Sequence, residues 1–188
     1  MMYYCLDSFI DHPYSRKLNG IEAHLNNMAI DFSKLKILIV EDNQDIQQII
    51  HDIIKVLNFG DVGLAKNGED AYRLFKAEKH DIIITDWEME PMNGLELIKT
   101  IRTDPESPNR FVPIIVVTGY AAPKRVMEAR DAGMTEFVVK PFTAEHIIKR
   151  ITHVINYPRD FVETKTYIGP NRRRHSDDDY FGPERRKR

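Results

Sequence analysis

Apolar positions in the middle of the chain follow two alternating periods. The run KILIV at 36–40 is continuous and aliphatic, and it stops at Glu41-Asp42-Asn43. Ile46, Ile49, Ile50, Ile53, Ile54 and Leu57 then recur at helical spacing, with Gly60 where a helix C-cap belongs. DVGLA at 61–65 is a weaker strand pattern, closed by Asn67-Gly68, and Ala71, Leu74 and Phe75 give a second helical stripe. IIIT at 82–85 is the third strand, and Leu95, Ile98 and Ile101 mark a third helix that must stop before Pro105. VPIIVVT at 112–118 is the fourth strand, followed by a helix from about Pro123 to Gly133 with Val126 and Ala129 inward. EFVVK at 136–140 is the fifth, and Thr143 is placed to cap a last helix with the stripe Ile147, Ile148, Ile151, Val154 and Ile155.

Five strand–helix units in about 120 residues imply one α/β domain. Strands that are apolar throughout must be covered on both faces, so the expected architecture is a doubly wound, five-stranded parallel sheet with helices on each side. Ligands in such folds bind at the carboxyl ends of the strands, near the point where the strand order reverses. The residues at the strand ends therefore carry the functional argument.

Composition narrows the class. The chain has 188 residues, 42% of them hydrophobic, which suits one domain plus extensions. The net charge of −2 argues against a polycation seeking nucleic acid. Charge is uneven: 171–188 hold seven Lys/Arg against four Asp/Glu, a net +3, which leaves −5 on 1–170. The single Cys5 excludes an intrachain disulfide and fits a reducing compartment. No apolar run approaches the ~18 residues of a membrane span. The N-terminus lacks a basic start, and Asp7 and Asp11 interrupt any apolar stretch, so no signal peptide is expected. The expected location is cytoplasmic.

Three carboxylates, a hydroxyl and an ammonium gather at the strand ends. The first strand ends in Glu41-Asp42, the third near Asp86, the fourth in Thr118-Gly119 and the fifth in Lys140-Pro141. Carboxylates that close repel one another, and a hard divalent cation such as Mg2+ relieves that repulsion. A metal held by Asp86 leaves one carboxylate oxygen free as a nucleophile. Thr118 and Lys140 can meet the oxygens of an incoming anion, and a phosphoryl group fits that combination.

At these residues the segment from Leu35 to about Tyr157 resembles the receiver domain of two-component response regulators, with a flavodoxin-like fold. ILIVEDN, IIITDWEMEPMNG, PIIVVTGY and FVVKPF match that family's motifs in order and at the usual separations. The resemblance implies that Asp86 accepts a phosphoryl group from a histidine kinase or a histidine phosphotransfer protein. It implies Mg2+ held by Glu41, Asp42, Asp86 and the backbone carbonyl of Glu88. Thr118 and Lys140 are implied as phosphoryl contacts, and Thr118 with Phe137 as the switch, acting on the fourth helix, fifth strand and fifth helix. Such a protein signals by binding an unidentified downstream protein rather than by turning over a metabolite, with slow self-dephosphorylation. One departure stands out: the family usually has Pro directly after the Met, whereas here Met89-Glu90-Pro91 displaces it by one.

Other residues read more blandly. Trp87 faces away from Asp86 in an extended chain and is expected to pack at the surface. His51, His80, His146 and His153 lack metal-ligand spacing and are expected as surface groups. Lys140-Pro141 is a turn in which a cis bond is rare.

The ends carry less pattern. Residues 1–34 show little period, are expected to be poorly ordered, and contain Met28 as a candidate start of translation beside Met1. From 158 to 188 a basic tail is expected, in which YIGPNRRR (167–174) recurs as YFGPERRK (180–187). Gly-Pro is expected to fix a bend, presenting the aromatic and the pairs Arg172-Arg173 and Arg185-Arg186 to a separate acidic partner or back onto the acidic receiver, the alternative being a solvated basic tail. About 30 residues after the receiver are too few for a helix-turn-helix output domain. Two rivals remain: a phosphorylation-independent scaffold, opposed by the intact acidic pair, Asp86, Thr118 and Lys140; and a tail that binds nucleic acid, opposed by Asp177-Asp178-Asp179 between the Arg clusters.

Overall fold

A computed structural model describes residues 31–119, 122–164 and 166–171. Most of the expected N-terminal extension and the Arg pairs of the tail lie outside these residues. The elements are β1 (Lys36–Val40), α1 (Gln44–Val56), β2 (Asp61–Ala65), α2 (Gly68–Glu78), β3 (Ile82–Asp86), α3 (Gly94–Thr103), β4 (Ile114–Thr118), α4 (Pro123–Ala132), β5 (Glu136–Val139) and α5 (Ala144–Asn156). A hairpin of β6 (Phe161–Glu163) and β7 (Ile168–Pro170) follows.

The main sheet has the order β2-β1-β3-β4-β5, and every pairing in it is parallel. The pleat divides its side chains between two cores. Leu38, Val40, Ile83, Ile114 and Val116 pack with Ala71 and Phe75 of α2 and Leu97, Ile98 and Ile101 of α3. Ile37, Ile39, Ile82, Ile84, Ile115 and Val117 pack with Ile50 and Ile54 of α1 and Ile147, Ile148, Ile151 and Val154 of α5. β1, β3 and β4 are therefore buried on both faces, as their unbroken aliphatic runs require, while β2 is a half-exposed edge strand. The order reverses between β1 and β3, so a crevice opens at their carboxyl ends.

Side-chain caps set where the helices begin. Asn43 accepts from the Asp45 and Ile46 amides, Asn67 from that of Asp70, and Asn93 forms a reciprocal cap with Glu96. Thr143 caps α5 as expected, reciprocally with His146. The end of α1 differs from the expectation for Gly60. Leu57 is the C-cap, and Asn58 takes the left-handed conformation with φ 55°. Gly60 instead lies against the turn before β1: its amide donates to Phe32 and Leu35 carbonyls, and a Cβ there would sit 2.0 Å from the Ser33 carbonyl oxygen.

Part of the expected tail is folded. β6 and β7 pair antiparallel, with Val162 opposite Gly169, so Gly169-Pro170 belongs to a strand rather than to a bend. Extended backbone satisfies Pro at a strand end, where its missing N–H costs no ladder bond. The Tyr167 hydroxyl donates to the Pro170 carbonyl at 2.8 Å and holds this strand in place.

Candidate functional site

Four strand ends meet at the crevice. Glu41 follows β1 directly and is buried at 1% exposure, while Asp42 is exposed. The Glu41 amide donates to the Ala65 carbonyl, and the Gln47 side chain donates to the carbonyls of both Glu41 and Ala65. The first turns of α1 are thereby tied to the ends of β1 and β2, so the acidic pair has a fixed backbone.

Asp86 is the last residue of β3 and is 8% exposed. Its Oδ1 accepts from the Trp87 amide at 2.7 Å, and its Oδ2 accepts from Lys140 Nζ at 2.9 Å. Gly94 opens α3 directly against this residue: a Cβ on Gly94 would lie 2.1 Å from the Asp86 carbonyl oxygen. Only glycine permits that approach. Lys140, just past β5, donates from Nζ to Glu41 Oε2 at 2.9 Å as well, and its amide donates to the Thr118 carbonyl at 2.8 Å. Thr118 closes β4 and is buried beside these groups.

The electrostatics follow from burial and pairing. Burial pushes the Glu41 carboxyl above the usual carboxylate range; its bond to Lys140 pulls it down, and Asp86 nearby pushes it up again. Burial alone would lower the Lys140 ammonium, but its bonds to Glu41 and Asp86 outweigh that and raise it. Lys140 therefore stays charged at neutral pH and neutralises about one of the carboxylates. Glu41, Asp42 and Asp86 each offer a ligand oxygen, all within 4.8 Å of one another. An all-oxygen, net-anionic donor set of this kind fits a hard divalent cation. A groove of about 750 Å3 opens beside it, lined by Asp42, Glu88, Glu90 and Glu96 among others.

The sequence-predicted residues Glu41, Asp42, Asp86, Thr118 and Lys140 thus converge at one rim. The Glu88 side chain turns outward and accepts from Arg125 Nη1 of α4 at 2.6 Å. Phe137 lies opposite Val116 in the β4–β5 register and is half-buried against the cluster that holds Trp87 and Met134. The displaced Pro91 follows a cis peptide bond, as does Pro141.

Two expectations are corrected. Trp87 is 9% exposed and belongs to the core, with the Arg125 guanidinium 5.9 Å from its ring centroid. It does face away from Asp86, but the other side of this sheet is core too. His80 is 2% exposed rather than at the surface, and neither ring nitrogen has a hydrogen bond. Arg125 was not legible as a site neighbour, because nothing in the pattern of α4 distinguishes it from other exposed cations.

Comparison with known proteins agrees with this geometry. Residues 37–152 match the family described as response regulator receiver domain. Chemotaxis protein CheY-3 of Vibrio cholerae is 32% identical over 126 residues, covering 67% of this chain and 95% of that protein. Chemotaxis protein CheY of Pseudomonas aeruginosa is 32% identical over 120 residues, covering 64% of this chain and 95% of that one. The solved structure of Vibrio cholerae CheY4 superposes with a TM-score of 0.60 at 29% identity, over 64% of this chain and 98% of that one. The receiver domain of a sensor histidine kinase from Pseudomonas aeruginosa, solved with a magnesium ion coordinated in its active site cleft, gives a TM-score of 0.55 at 30% identity, over 64% and 95% of the two chains. With its motifs, sheet order and acidic crevice in agreement, the chain belongs to the response regulator receiver domain family.

Proposed function

We propose that Asp86 is the phosphoacceptor of this response regulator and that Mg2+ is its cofactor. One Asp86 oxygen attacks the phosphorus of a phosphohistidine on a histidine kinase or a histidine phosphotransfer protein. The P–N bond breaks, the imidazole leaves with its electron pair, and an acyl phosphate remains on Asp86. The observation that carries this reading is the convergence of Glu41, Asp42 and Asp86 within 4.8 Å, with Lys140 Nζ 2.9 Å from both Glu41 and Asp86.

Glu41, Asp42, Asp86 and the Glu88 carbonyl hold the ion, which supplies charge for the phosphoryl oxygens and lowers the repulsion among the carboxylates. Lys140 and the Thr118 hydroxyl take the remaining oxygens. Thr118 ends β4 and Phe137 packs beside β4, so a shift of the hydroxyl toward the phosphoryl group frees space that the ring can fill. The surface that changes is α4, β5 and α5, where Met127, Val139 and Tyr157 expose large apolar area at 52%, 36% and 67%. A downstream protein reads that surface, so the chain acts as a signalling switch and not as an enzyme on a metabolite. Its place is the cytoplasm, where histidine kinases present their phosphoryl groups; among the described residues no helix is long and apolar enough to cross a membrane.

The test is phosphorylation by a small acyl phosphate donor with Mg2+, resolved on a phosphate-affinity gel. Wild type shifts and Asp86→Asn does not. Modification of Asp86→Asn to the wild-type extent overturns the assignment.

A further inference from the structure

Arg102, at the end of α3, is 1% exposed, and among the described residues no carboxylate is set against its charge. Its guanidinium donates through Nε and Nη2 to the Gly133 carbonyl at 3.1 and 2.9 Å, and through Nη1 to the Arg110 carbonyl at 2.8 Å. Burial lowers this group to about 9, so it is still charged at neutral pH. Burial is costly for a cation that bonds only carbonyls, so its remaining side needs a favourable contact such as the electron-rich face of a ring. The hairpin supplies that contact: the Phe161 ring centroid lies 5.1 Å from the Arg102 guanidinium carbon.

The same hairpin touches the end of α4 with no slack. Gly133, the C-cap of α4, has φ 103°. A Cβ on Gly133 would lie 2.5 Å from the Ile168 carbonyl oxygen, and one on Gly169 would lie 2.7 Å from the Gly133 Cα. Two glycine backbones, one from α4 and one from β7, are therefore in direct contact. Glu163 of β6 pairs with Arg110, which in turn donates from Nε to the Arg102 carbonyl.

Both helices held here begin at the acidic crevice. α3 starts at Gly94, packed on the Asp86 carbonyl, and ends in Arg102. α4 carries Arg125, bonded to Glu88, near its start and meets the hairpin at Gly133. Each is a helix of 10 residues, a stiff rod of about 15 Å.

We propose that the β6–β7 hairpin is a clasp that locks the far ends of α3 and α4 and so preorganises the loop around Asp86 and Glu88 for its ligands. Loosening the clasp weakens binding at the crevice, and loading the crevice tightens the clasp, because coupling between two sites is reciprocal. This rests on the phosphoacceptor reading, which the wild-type titration below tests by itself.

The experiment titrates full-length protein in Mg2+ with beryllofluoride, a phosphoryl stand-in, and follows hydrogen exchange of the 161–169 amides. Gly169→Ala forces a Cβ between the two glycine backbones, and Phe161→Ala uncovers Arg102 while leaving the contact of Gly169 intact. Each is expected to weaken beryllofluoride by about threefold or more, whereas Val162→Ala, at an exposed position, leaves it unchanged. Wild-type hairpin amides should exchange more slowly once beryllofluoride is bound. Equal affinities in wild type and both folded hairpin variants overturn the clasp while leaving the phosphoacceptor reading intact. A wild type that binds no beryllofluoride overturns that reading, and the clasp falls with it.

Discussion

His80 shows how a single buried group sets a pH response. Its ring sits between β2 and the start of β3, where a Cβ on Gly63 would lie 2.4 Å from its Nε2. Burial lowers its pKa from 6.5; Glu78, Asp61 and Asp81 act the other way, and Lys36 adds to the lowering. The sign follows: below about pH 6.5 the unfolded chain takes up this proton before the folded chain does, so stability falls as pH falls. Glu41 contributes with the opposite sign, because its raised folded pKa favours the fold as pH drops. The difference between wild type and His80→Leu isolates the histidine. In urea unfolding from pH 7.5 down to 5.5, wild type should lose stability relative to His80→Leu; parallel pH profiles would show that the ring titrates normally. At this scale the sequence was uneven. Glu41, Asp42, Asp86, Thr118 and Lys140 were legible because each ends an apolar run, and parallel strands aim their ends at one rim. Trp87 and His80 were not, since both lie just outside the apolar run of β3, where the run no longer says whether a neighbour covers the side chain.

Helices and strands were legible where apolar spacing was dense, as in α1, α5, β1 and β3, and their ends followed the caps Asn43, Asn67, Asn93 and Thr143. The end of α1 was misread because glycine is the commonest left-handed cap, while here Asn58 takes that conformation and Gly60 serves a close approach. The hairpin was hidden for another reason. Strands of three residues are too short to show a period, and Gly-Pro is more familiar in turns. The two roles at the end of α1 separate by mutation. Gly60→Ala forces the turn at Phe32–Leu35 to move and should cost about 1–3 kcal/mol. Asn58→Gly relieves the left-handed strain and should be neutral or stabilising by up to ~1 kcal/mol. Chemical denaturation of both variants measures this; the reverse order of stabilities would return the cap to Gly60.

Over the whole molecule, the crevice is a place where folding stability is given up for binding. Three carboxylates converge there, yet Lys140 lies 2.9 Å from only Glu41 and Asp86. Asp42 is thus the carboxylate whose charge Lys140 does not bond, and its repulsion by the other two is what a cation relieves most. A ligand that binds only the folded chain raises stability by mass action, about 2.7 kcal/mol at a hundred times its Kd. For a chain of this length that corresponds to a rise in Tm of roughly 5–10 °C. Mg2+ at saturating concentration should therefore raise the wild-type Tm by that amount. Asp42→Asn should shrink the rise by weakening the ion's hold, and its metal-free Tm should exceed that of wild type because the repulsion is gone. The two effects together are the signature, since a merely damaged fold lowers both values. Thermal scans with Mg2+ and with a chelator decide it: an unchanged wild-type Tm on adding Mg2+ removes the metal from the site, and a lower metal-free Tm for Asp42→Asn removes the stored repulsion.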